Sequence, residues 1–406
     1  MKRLFAGAIA IVAALSLTGC GGGSSAPAPA TVTVTPGDGY VTVTWAASSG
    51  VDYWVWHAPT TSPLTPENCS SFIGCATRTN ASTPQVVTGL VNGTTYSFTV
   101  NGRTDGGKGG PGSASVMATP RLAGATWSVG TSAGSNDLRG VTHGAAGAVF
   151  VAVGASGTIF SSTDGAVWTV LTTPLTPANT SLNAAVYGGH YLAAGAGGVM
   201  LLSSDGATWT QQATPTTKEL YALATNAADG YVAVGADGAI IVSNGGSTWT
   251  AAGTAPTTST LYAATYGNGK FVAVGAGGVL LTSSDGNTWQ TVASNTAVDL
   301  KGVAYGAGTF VAVGASGTLV TSADGVTWTA QTSISTNPAL KAVTYGHQFI
   351  AVGDGGAVFT STDGLTWTIQ TSNTSDNLFA VTSYLDIYNG AGYSVVGTMG
   401  RNLSSI

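Results

Sequence analysis

Charge is scarce in this chain of 406 residues, which has 12 Lys plus Arg against 17 Asp plus Glu, so that 7% of residues are charged and the formal balance is −5. Binding to phosphate backbones requires a basic surface, and this composition excludes nucleic acid as the partner. Only three cysteines occur, and the two beyond the N-terminal segment, Cys69 and Cys75, have no histidine nearby. Two thiols alone make an incomplete zinc site, whereas in an exported chain they most simply form one local disulfide. Outside the N-terminus no apolar run is long enough to cross a bilayer as a helix. No metal cluster, Gly-rich phosphate loop or nucleophile motif is visible, so neither metal nor cofactor is expected. What is abundant is apolar and glycine residues, 44% hydrophobic with 59 glycines, which suits a large core cut by many tight turns.

The N-terminus reads Met1-Lys2-Arg3, then an apolar stretch from Leu4 to Leu17, then Thr18-Gly19-Cys20. A basic start and a short apolar run describe an export signal over 1–19 rather than a span. Its end resembles the lipobox of bacterial lipoproteins, which implies a lipid on Cys20, a membrane anchor, and a place in the cell envelope. Gly21 rather than Asp after the cysteine implies the outer membrane. The following GGGSSAPAPA has the composition of a flexible tether over 20–30.

Residues 31–120 alternate in short runs such as TVTVT, YVTVTW and TTYSFTVNG, the period-two pattern of a β-sandwich. Trp45 is expected to be buried. Trp54 and Trp56 share one face, either packed or available as a sugar-binding strip. Leu90, Gly93 and Tyr96 resemble the tyrosine corner of fibronectin type III domains, which implies a spacer or adhesion module.

Beyond the sandwich, tryptophans fall at 127, 168, 209, 249, 289, 328 and 367, a period near forty residues. Such a period is that of a β-propeller with one four-stranded blade per repeat, here over 121–406. Five of the repeats carry Asp-Gly with the Asp four residues before the Trp: Asp164 and Trp168, Asp205 and Trp209, Asp285 and Trp289, Asp324 and Trp328, Asp363 and Trp367. Asp-Gly between strands predicts a two-residue hairpin, with the carboxylate accepting backbone N–H groups and the Trp sealing one blade to the next. The third repeat keeps Gly and Trp249 but lacks the Asp, so the motif is a fold device rather than a catalytic site. This pattern resembles the Asp-box, or bacterial neuraminidase, repeat and the repeats of photosystem II assembly-factor propellers. The fold class expected is therefore all-β: a small fibronectin type III-like sandwich, then a seven-bladed propeller. The chain after Trp367 supplies three strands, and Gly124-Ala125-Thr126-Trp127 supplies the fourth, so both ends of the propeller region would share the seventh blade and close the ring.

Functional residues are sought in the column after the leading Leu of each first strand: Arg139, Asn183, Tyr221, Tyr262, Lys301, Lys341 and Phe379. Neighbouring columns are small or aliphatic. With Arg401 this column predicts a basic arc at one mouth of the channel, with Asp237 and Asp354 in nearby turns to offset part of it. Cations and tyrosines there suit an anion or a sugar. Long side chains could equally plug the channel. His143 replaces the tyrosine of other repeats and is read as packing. The catalytic set of a sialidase is missing, since Glu219 is the one glutamate of the propeller region, and Asp237 with Asp354 is the only acidic pair to weigh for glycoside chemistry. The function expected is binding or scaffolding, with envelope polysaccharide or an exported protein as partner. The alternatives are a polysaccharide-active enzyme, such as a glycosidase or lyase, and an assembly or stability factor for a membrane complex.

Overall fold

The computed structural model describes residues 25–145, 148–226, 228–332, 334, 336, 338–385 and 391–405. The export signal and Cys20 lie outside the described residues. Strands and short 3-10 turns account for all regular structure among them. Two compact units form, one from the residues up to Pro36 with Val41–Val87 and Gly93–Thr119, the other from Pro120 onward with Gly37–Tyr40 and Thr88–Asn92.

The first unit pairs a three-stranded sheet (Val32–Pro36, Tyr40–Trp45, Gln85–Thr88) with a five-stranded one built on Asp52–Ala58 and Tyr96–Arg103. Alternation works as expected: Val41, Val43 and Trp45 are buried, while Thr42 and Thr44 are not. Ser25–Ala26, inside the stretch read as a tether, pairs with Arg103 and Gly102. The polar face of Tyr96–Arg103 is also buried, because the chain that follows covers it. Thr99 donates to the Ser113 carbonyl at 2.9 Å and Asn101 to the Gly110 carbonyl at 3.0 Å. Trp54 and Trp56 are packed, not an open strip: the Arg103 guanidinium lies 4.2 Å over the Trp54 ring, and Trp56 donates its indole N–H to Asn101. Cys69 and Cys75 stand at disulfide distance with Cα atoms 5.6 Å apart.

The second unit holds seven four-stranded antiparallel sheets among the described residues. The first six begin at Leu138, Leu182, Leu220, Leu261, Leu300 and Leu340. The seventh takes Leu378–Leu385, Ala391–Gly397 and Asn402–Ser405 from the chain end, and its outer strand is Ser128–Val129, paired with Ser404 and Leu403. First strands lie side by side in sequence order, and that of the seventh sheet lies beside that of the first. Second strands such as Phe150–Gly154 and Phe349–Gly353 are buried along their length. The cores lie between sheets: Trp209 of the second packs with Val151, Val153 and Ile159 of the first, and Trp127 with Ile350 and Val358 of the sixth.

The Asp-Gly connection differs from the expected two-residue hairpin. Strand three ends at Ser203 and strand four starts at Thr210, so the loop spans 204–209. Only the glycine has positive φ, +74° at Gly206, whereas a hairpin of the expected type needs two such residues. Side chains organise the longer loop instead. One Asp205 carboxylate oxygen accepts from the Ser203 hydroxyl at 2.9 Å and from the N–H groups of Ala207 and Thr208 at 2.8 and 2.7 Å. The Ser203 hydroxyl in turn accepts from the Gly206 N–H. Three donors on one carboxylate favour its charged form, and the Asp205 acid falls to about 2. Trp sits just before the fourth strand in most repeats, its indole donating to the loop glycine, as Trp289 does to Gly286 at 2.7 Å. Without an Asp, the third sheet keeps two of these bonds, Gly246 to Ser243 and Trp249 to Gly246.

Candidate functional site

At the opposite end of each sheet from the Asp-Gly loop, the first two strands slip register by one residue. The slip falls between Leu138 and Gly140, and at the same place in the other six sheets. The skipped residue is Arg139, Asn183, Tyr221, Tyr262, Lys301, Lys341 or Phe379, the column singled out from the sequence. A bulged residue leaves the ladder and its side chain is re-aimed, so a repeated bulge turns one column toward a common space. Two residues fix it. The Leu before the bulge is fully buried in every sheet. Opposite it stands a glycine, such as Gly314 facing Leu300, where an added Cβ would come 2.0 Å from the Asp299 carbonyl oxygen.

The seven bulge residues, with Asp137 and Glu219, line one cavity of about 360 Å³. A narrower space of about 190 Å³ continues from it between the first strands, past small residues such as Gly140, Ala184, Gly302 and Ala342. Side chains around the rim touch from sheet to sheet. Arg139 donates to the Asn183 side-chain oxygen at 3.0 Å, and Asn183 donates to Glu219 at 2.9 Å. The Tyr221 hydroxyl donates to the other Glu219 oxygen at 3.0 Å. Tyr221 and Tyr262 have ring centroids 5.8 Å apart, and the Lys301 ammonium stands 3.2 Å over the Tyr262 ring. The run crosses sheets one to five. Burial and the Glu219 bond together raise the Tyr221 hydroxyl above its usual value.

The expected basic arc is largely neutralised. Lys301 pairs with Asp299 at 3.1 Å and Lys341 with Asp354 at 3.2 Å. Arg401 pairs with Asp376 and lies outside the cavity lining. The Gly277 N–H, then Lys301, hold the Asp299 acid below its usual range, and Arg401 does the same for Asp376. Asp237 also lies outside the lining; its side chain belongs to a 3-10 turn, and its carbonyl accepts from Lys218. With Asp354 bound to Lys341 and Asp237 elsewhere, the two carboxylates do not face each other across the cavity. His143 is packing, its ring 4.2 Å from that of Phe150. Sequence reasoning missed Asp137, Glu219 and Asp299 as rim residues. Their signal was an acid two positions before the column, in Asp137-Leu138-Arg139, Glu219-Leu220-Tyr221 and Asp299-Leu300-Lys301.

Repeated four-stranded sheets with first strands side by side around a shared cavity define a β-propeller. Residues 126–259 match the model of the DUF6242 beta propeller domain. Solved propellers are similar in fold. YCF48 bound to D1 peptide is 18% identical with a TM-score of 0.57, covering 69% of this chain and 96% of that one. YCF48 from Cyanidioschyzon merolae is 19% identical with a TM-score of 0.56, covering 69% and 98%. A streptogramin B lyase is 10% identical with a TM-score of 0.59, covering 69% and 97%. No curated protein matches the chain. At these identities the likeness is one of fold.

Proposed function

We propose that this chain is a binding or scaffolding protein whose propeller cavity receives a segment of an exported protein partner. One observation carries the reading: all seven sheets spend a bulge on sending one side chain into the same space, and those side chains are charged, amide or aromatic. A plug would need only bulk, whereas paired charges beside neighbouring aromatic rings offer polar and aromatic contacts to a ligand. A solved propeller of similar fold bound to a D1 peptide supports a peptide-like ligand over a glycan.

The finer architecture belongs to this proposal. The seven sheets are the blades of one closed propeller, locked where Ser128–Val129 joins the last strands, a pairing that supports the two-ended seam. The sandwich is fibronectin type III-like and serves as a spacer. Cys20 carries a lipid that holds the protein at the cell envelope, most simply the outer membrane. Inhibiting the lipoprotein signal peptidase in cells should leave the full precursor uncleaved; normal maturation would remove Cys20 from the proposal.

A second reading, an assembly or stability factor for a membrane protein complex, is the same binding activity directed at a nascent partner, and the likeness to YCF48 favours it. The test is a mild-detergent pull-down from the envelope fraction beside a glycan array, using the full chain. A stable protein partner with no glycan signal supports the proposal. Glycan binding with no protein partner overturns it in favour of envelope polysaccharide, and turnover of a polysaccharide would make the protein an enzyme.

A further inference from the structure

The charges of the cavity are not paired evenly. Lys301 and Lys341 each have a carboxylate within 3.2 Å. Arg139 does not: among the described residues its polar partner is the neutral Asn183 oxygen. Neither nearby acid forms an ion pair with it among the described residues. Glu219 spends one oxygen on Asn183 and the other on Tyr221. Asp137, only two residues from Arg139, accepts from the Met399 N–H at 3.0 Å with its Oδ1. One guanidinium N–H group is therefore bound, and the rest of the fork faces the cavity beside Phe379, whose sheet adjoins that of Arg139.

A guanidinium carries five donors in a planar fork that matches the two oxygens of a carboxylate, and a partly desolvated one gains most from a charged acceptor. The Asn183 amide holds the fork in place by accepting from one of its N–H groups, and Glu219 holds Asn183 by taking both the amide's charge-assisted donation and the Tyr221 hydroxyl. Phe379 gives the neighbouring wall an apolar face. We propose that the cavity recognises a carboxylate attached to an apolar or aromatic group, with Arg139 as the residue that selects the acid. Opposite, the Lys301 and Tyr262 pair is already satisfied and contributes shape rather than charge. This inference rests on the cavity being a ligand site, and it specifies which group of the ligand that site reads.

The test uses the full chain with two probes of one shape, phenylacetate and phenylacetamide, in saturation-transfer NMR titrations. Phenylacetate should bind at least tenfold more tightly than the amide. Arg139→Gln should remove that preference, and Arg139→Lys, which keeps the charge but not the fork, should retain only part of it. Equal binding of the two probes overturns the inference, as does no binding of phenylacetate, or an undiminished preference in Arg139→Gln. If Arg139→Gln melts early, Arg139→Lys decides alone: an unchanged preference would count against the fork. A pull-down that finds no partner while phenylacetate still binds through Arg139 would defeat the proposed function and leave this inference standing.

Discussion

The two ends of the seven sheets are made from the same strands and solve opposite problems. At the Asp-Gly end, the polar groups that shape the turn are satisfied inside their own loop: Ser203, Asp205 and Gly206 bond to residues no more than three positions away, although the Trp209 indole N–H is left without a partner among the described residues. At the bulge end, side chains reach to the next sheet, as Arg139 does to Asn183 and Asn183 to Glu219. Self-contained loops can be copied from repeat to repeat without regard to neighbours. Rim residues cannot, because each depends on what the adjoining sheet offers, and so their identities diverge. One end is built for repetition and the other for variation.

The largest effect should come from breaking the uniform end. Trp289 is nearly fully buried between sheets and bonded to its loop. Trp289→Ala should cost about 3–5 kcal/mol, read by denaturant unfolding of the full chain; a cost within the noise would mean that the Trp does not seal the sheets. Next is the glycine that permits the bulge. A Cβ at Gly314 would meet the Asp299 carbonyl at 2.0 Å, so Gly314→Ala should cost about 1–3 kcal/mol and also displace Lys301 from the rim. Full stability with unchanged ligand binding would show that the bulge needs no glycine.

Smaller effects follow from the carboxylates. Asp324 is held at about 2 by the N–H groups of Thr327 and Val326, against an ordinary 3.8. Its folded acidity is greater than its unfolded one, so the support it gives is complete above about pH 4 and is lost as pH falls through 2. Being exposed, Asp324→Ala should cost only about 0.5–1 kcal/mol at neutral pH and nothing near pH 2. An equal deficit at both pH values would show that the carboxylate charge is not what organises the loop. The sandwich should respond at a higher pH. Burial, and then Arg78, lower His57 from 6.5 to about 4, so its unfolded form takes up protons first and stability declines as pH falls from 6.5 towards 4. His57→Phe should flatten that decline; an unchanged profile would assign it to other groups.

The contrast between the ends also explains what could be read from the sequence. The Trp period, the return of the chain around Trp127 to the last sheet and the column of long side chains were legible because each depends on spacing alone, although the strand itself is Ser128–Val129, just beyond the matching residues 124–127. The loop type was not. Asp-Gly suggested a tight hairpin, yet the carboxylate and the Ser two residues before it capture N–H groups that a tight turn would leave to the strands. Nor was the charge balance of the rim. Lys301 and Lys341 stand out as rare cations, and Asp354 offsets Lys341 as its place in a nearby turn suggested; the pairing of Lys301 with Asp299 was not foreseen, because Asp299 belongs to the loop before strand one and its position depends on how that loop turns back to the rim. The bulge was invisible for the same reason, since register is a property of two strands and not of either one.

The smallest stability effect is reserved for the rim, where it matters most. Lys301 and Lys341 are partly exposed, and surface pairs of this kind contribute about 0–1 kcal/mol. The direct test of the rim as the recognition surface is therefore partner capture by the Lys301→Ala, Lys341→Ala double variant, measured beside its melting curve. Capture reduced at least tenfold with the melting temperature within a few degrees of the parent is the predicted result. Undiminished capture by a folded double variant would mean that the partner binds elsewhere and that the ring of side chains merely fills the channel.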